Sequence, residues 1–237
     1  MANTMPARAL GAVERLLEEL QKRMRQEMPA LLARADELMA RAIVDAGDKG
    51  IAVELQEGRR NLERGFGRLL PEFMASLRRQ VEEAWLHAPQ APPPDAFPDR
   101  LEPLRLLDEA IVDEDAAIAG IAARHESVAS LPLLLMGQRF GVLLERPPVP
   151  AAELPVGPHG FARALRDAGH ALGLGLHARL ALYRAADLGW TSRYPILAEA
   201  MDAALDRAGI LQGLNYVPLR QRNGSSHPMR GGPAGDT

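Results

Sequence analysis

Apolar residues recur along the chain with a helical period. Leu10, Val13, Leu16, Leu17, Leu20 and Met24 mark one face, while Glu18 stands four residues before Lys22 and Glu19 four before Arg23 on the other. This predicts an amphipathic first helix. Leu31, Leu32, Ala35, Leu38, Met39, Ala42 and Ile43 continue the stripe beyond Pro29, which lacks an amide hydrogen and so either begins a second helix or kinks a long one. Gly47, Asp48, Lys49 and Gly50 predict a turn. After it Ile51, Leu55, Leu62, Phe66, Leu69, Phe73, Leu77, Val81 and Trp85 fall on one stripe that also holds Gly58. The spacing predicts one long helix, with Pro71 as a candidate kink.

The stretch from Ala88 to Arg100 holds five prolines, three of them consecutive at Pro92 to Pro94, and reads as an extended linker. Beyond it, Asp113, Glu114 and Asp115 suit a helix N-terminus. Ile118, Ile121, His125, Val128, Leu131, Leu135 and Phe140 then form an expected buried face, with Pro132 as a kink. A second proline cluster ends at Pro158, a favoured first helical position. Three more helices are expected, over about 158–173, 174–188 and 191–208, the last stopped at Gly209 with Ile210 making the hydrophobic contact of a glycine cap. The fold class is therefore all-α: a multi-helix bundle of long amphipathic helices in two subdomains. The divisions are 1–88 (N-terminal hairpin or bundle), 89–100 (proline-rich linker), 101–215 (C-terminal bundle) and 216–237 (disordered tail).

Composition narrows the function. Aromatic residues make up 4% of the chain, and 28 basic residues against 31 acidic ones leave a net charge of −3. No surplus of positive charge exists to neutralise a nucleic-acid backbone, so nucleic acid is not an expected partner. The absence of cysteine excludes disulfides, thiolate catalysis and thiolate-bound metals, and it fits a reducing cytoplasm. No uncharged run reaches the ~18–20 residues of a membrane span, and the first twenty residues carry five charges, unlike a secretory signal.

Several segments in order carry a resemblance. They are Met28 to Asp36, Leu107 to Asp115, Ala123 to Glu126, Glu153 to Pro158, Leu176 to Arg184 and Arg207 to Leu211. Together they resemble the N-terminal region of the proteobacterial domain-of-unknown-function family 1631 (DUF1631), over roughly Ala9 to Leu214. Members of that family are typically much longer, and some end in a region resembling PilZ domains, which bind cyclic di-GMP. The resemblance implies a short or truncated member without that region. Arg60 and Arg64 have the first PilZ spacing but lie on an expected helix, and Asn223, Gly224 and Ser225 lead to Pro228 where the fingerprint has glycine. Cyclic di-GMP is accordingly not expected to bind this chain alone.

No catalytic constellation emerges. Gly173-Leu-Gly175 lacks the strand and third glycine of a dinucleotide fingerprint and reads as a helix break. His170 and His177 read as boundary histidines, and His125 as core-edge packing. Asp108, Glu109, Asp113, Glu114 and Asp115 lack the pattern of a calcium loop and read as helix capping and a solvated face. Tyr183, Trp190 and Tyr194 are expected to pack the C-terminal helices while their polar atoms reach partners at the surface. No cofactor, metal or catalytic residue is assigned. The expected function is a non-enzymatic helical interaction or regulatory module with a protein partner or self-association. Its candidate surface comprises Arg59, Arg60, Arg64, Arg68, Phe66, Phe73 and Trp85. Two alternatives stay open: a cyclic-di-GMP-linked signalling accessory, and an enzyme whose residues meet only on folding.

Overall fold

The computed structural model describes residues 5–86 and 109–214. These residues fold entirely into α-helices and turns: α1 (Ala7–Asp45), α2 (Lys49–Arg64), α3 (Leu69–Leu86), α4 (Glu109–Val128), α5 (Ser130–Leu143), α6 (Pro158–Ala171), α7 (Leu176–Trp190) and α8 (Tyr194–Arg207). One 3₁₀ turn, Ala151–Glu153, joins α5 to α6. The proline-rich stretch 89–100 and the tail 216–237 lie outside the described residues.

α1 is a single helix of 39 residues, about 58 Å long at 1.5 Å per residue. Pro29 sits inside it. The ring forfeits one backbone hydrogen bond, but Met24, Met28, Leu31, Leu32 and Ala35 are buried on both sides and carry the helix through. At the predicted turn, Asp48 caps α2 by accepting hydrogen bonds from the amides of Gly50 and Ile51.

The single helix expected over 51–85 is two helices. Gly65 ends the first because its backbone is pressed against the end of α6: a Cβ there would stand 2.7 Å from Leu172 Cγ and 2.9 Å from Asn61 O. Pro71 then falls in the first turn of α3, where its missing donor has no intrahelical acceptor anyway. The same logic corrects the reading at Pro132, which kinks nothing and lies in the first turn of α5 after a break at Ala129. Val128 and Leu131, expected on the buried face, are exposed.

Two stops were legible locally. After α8, Gly209 takes φ +82°, its amide bonds Asp206 O, and the amide of buried Ile210 bonds Leu205 O. This is a Schellman stop. Gly173, φ +69°, ends α6 in the same way, so Gly173-Leu-Gly175 is the helix break it was read to be.

α3 packs along α6, and α1 along α2, α7 and α8; α4 lies against α6 and α7, and α5 against α8. Phe73 of α3 meets Phe161 of α6 and Trp190 of α7 edge-on, at 5.3 and 6.1 Å between ring centroids. Helices on both sides of 87–108 thus contribute to one continuous apolar core, built across the sequence division.

Candidate functional site

The structure divides the predicted interaction surface. Phe73 and Trp85 are buried core residues, so neither can anchor a partner. Phe66 is 55% exposed, because the Gly65 break lifts it off the apolar stripe into the α2–α3 turn. Arg59 is held by a two-pronged ion pair to Asp36 of α1, at 2.6 and 2.8 Å. Arg68 donates weakly to Glu72 and to the Ala171 carbonyl, both at 3.4 Å. Arg60 and Arg64 are exposed with no ion-pair partner among the described residues. Arg59, Arg60 and Phe66 border a groove of 680 Å³ between α1 and α2, together with Asp36 and Glu63, so its charges are balanced.

The exposed residues of α5 carry no charge. α5 has one charged residue, Arg139, and it points inward, 2% exposed. It bonds Asp202 at 2.7 Å, Asp206 at 2.9 Å, the Leu211 carbonyl at 2.6 Å and the Ile210 carbonyl, tying α5 to the end of α8. Leu131, Leu134 and Val142 are left facing outward, with Val128 just before them. Helices apolar on every side are normally enclosed. This one is covered on one side only.

A groove of 700 Å³ lies where the end of α1, the start of α2, α4 and α7 meet. Leu38, Ile51, Leu55, Ile121 and Leu180 give it an apolar floor. Glu54 accepts from the backbone amide of His177 and pairs with its Nδ1, both at 2.8 Å, which orients the ring and leaves Nε2 for the groove. Arg124 is paired with Asp187 at 2.7 Å. Arg184 has no partner among the described residues, and Arg41 has only Glu37 at 3.9 Å. No serine or threonine lines the groove, and the hydroxyl of its Tyr183 donates to Glu114.

Glu114 and His125 belong to the core. Glu114, expected on a solvated face, is 7% exposed. Burial raises its pKa, but hydrogen bonds from Arg179 and Tyr183, with the charges of Arg179 and His170, outweigh that and hold it down to about 2. Arg179 grips both its oxygens at 2.7 Å. His125 is fully buried, and burial pushes it down to about 4. The three histidines therefore part company: His177 lines the large groove, His170 stands 3.9 Å from Glu114, and His125 is enclosed. Among the described residues no group of three or more potential ligands could hold a metal ion, and no helix is long and apolar enough to cross a membrane.

The N-terminal domain of the proteins of unknown function DUF1631 matches residues 8–209. The chain belongs to the DUF1631 family. No curated protein and no solved structure matches it significantly.

In this DUF1631 domain, sequence reasoning missed the α5 face and the α1–α2–α4–α7 groove for different reasons. The signal for α5 was present as the uncharged run Ser127 to Gln138, ended by Arg139. The DUF1631 groove had no such signal, since its lining is drawn from residues 38 to 187.

Proposed function

We propose that this DUF1631 domain is a helical protein-interaction module without catalytic activity of its own, acting in the bacterial cytosol. One observation carries the reading: Leu131, Leu134 and Val142 stand exposed on a helix whose single charge is turned inward. An outward face with no charge and several large aliphatic groups resembles the central part of protein interfaces, where charged residues are depleted. The isolated Phe66, with Arg60 and Arg64 on the preceding helix, offers a smaller aromatic and basic contact at the other side of the α1–α2 pair. The cysteine-free composition suits a reducing compartment.

A photo-crosslinking amino acid placed at Leu134 in the full chain, expressed in its native host, tests this. A discrete adduct is expected at Leu134 and not at exposed Glu57, and Leu131→Glu should remove it. A chain that sediments as a monomer, gives no discrete adduct from Leu134 and turns over a substrate would overturn the reading.

A further inference from the structure

The groove at the end of α1 is apolar below and cationic at its sides. Its 700 Å³ lies within the ~300–1,000 Å³ of small-molecule sites, larger than an inorganic anion needs. Two of its polar pairs are internally settled, Arg124 with Asp187 and His177 with Glu54. What is left over is Arg184 on α7, without a partner among the described residues, and Arg41 on α1, held only by Glu37 at 3.9 Å, against the carboxylate of Asp45. The two guanidiniums come from different helices, so they flank the floor rather than extend one helix face. An unpaired arginine presents a planar fork of donors that matches carboxylate, sulfonate or phosphate oxygens.

We propose that this groove binds a small amphiphilic anion. Its apolar body rests on Leu55, Ile121 and Leu180, and its anionic head is held by Arg184 and Arg41. Burial of the body supplies free energy in proportion to area, and the arginines fix its direction. The site shares no residue with the α5 face, so it stands apart from the protein-interaction reading.

The test uses the full chain with 8-anilinonaphthalene-1-sulfonate and its uncharged counterpart N-phenyl-1-naphthylamine, read by fluorescence and calorimetry. The sulfonate should bind saturably at one site, and the neutral dye at least about tenfold more weakly, a difference of ~1.4 kcal/mol. The double variant R41E/R184E should weaken the sulfonate by at least about tenfold, and R184K, which keeps the charge but loses the fork, by less than that. Decanoate should displace the dye, and A181W, which fills the floor, should abolish binding while circular dichroism stays helical. L134E should change nothing. Equal affinity for the two dyes, or undiminished sulfonate binding in a folded R41E/R184E, would overturn the proposal. So would loss of binding in L134E, which would move the dye to α5.

Discussion

The imidazole of His125 lies flat against the phenol of Tyr194, with 4.6 Å between ring centroids and 10° between planes. Neither imidazole nitrogen, nor the Tyr194 hydroxyl, has a hydrogen-bond partner among the described residues. The stack bridges α4 and α8 by ring contact without a hydrogen bond. The expected surface partner for Tyr194 does not exist, because the ring is buried whole.

Acid should therefore loosen the bundle through His125. Its folded pKa of about 4 lies below the ordinary 6.5, so the unfolded chain binds the proton more readily. The associated stability is fully present above pH 6.5 and lost as pH falls toward 4, by about 3 kcal/mol in all. His125→Phe keeps the stack and removes two unpaired polar atoms. It should stabilise the protein at pH 7 by about 1–2 kcal/mol and flatten the pH dependence between 6.5 and 4. Urea unfolding at pH 7 and pH 4.5 measures both; an equal pH dependence in the two proteins would show that His125 does not titrate on unfolding.

Glu114 acts lower on the scale. A carboxyl held at about 2 instead of 4.5 contributes stability that persists above pH 4.5 and disappears as pH falls through 2. Glu114→Leu should cost about 3–5 kcal/mol at pH 7, because Arg179 is left buried without its partner. The double variant E114L/R179M should recover most of that loss. Thermal melts of the four-membered cycle decide it, and additive losses would mean that the pair is not coupled.

What could be read from the sequence depended on how far each cause lay along the chain. Asp48, Pro158 and Gly209 act on amides within a few residues, so the α2 cap, the α6 start and the α8 stop were visible in the sequence. Gly65 breaks a helix because of Leu172, and nothing near Gly65 announces it. Glu114 resembled a helix-terminal acid because its partners Arg179 and Tyr183 lie 65 and 69 residues away. Phe66 and Phe73 share one apolar register, yet the turn at Gly65 sends the first to solvent and the second to the core.

Two glycines should answer alanine with opposite signs. Gly137 of α5 lies under the next loop, where a Cβ would stand 2.3 Å from the Val149 carbonyl oxygen. Gly137→Ala should destabilise by about 1–3 kcal/mol, since backbone must yield. Gly11 of α1 has nothing within 4 Å of that position, so Gly11→Ala should stabilise by about 0.5–1 kcal/mol. Chemical denaturation of both reads the contrast.

Removing the inward charge of α5 should free the end of α8. Arg139→Met leaves Asp202 largely enclosed without its ion-pair partner and the Ile210 carbonyl without its arginine bond, at about 3–5 kcal/mol. Hydrogen exchange should accelerate first at the amides of 205–211; uniform acceleration through the bundle would assign Arg139 a global role instead.

The long first helix also sets a timetable. α1 packs on α2, which follows it directly, but also on α7 and α8, more than 130 residues downstream. During synthesis at ~5–20 residues per second, its stripe of leucines and methionines therefore waits roughly 10–30 s outside the ribosome before those partners emerge. For that interval the nascent chain exposes the part of its apolar stripe that α7 and α8 later cover, so the architecture that unites the bundle also prolongs the time in which the chain is open to aggregation.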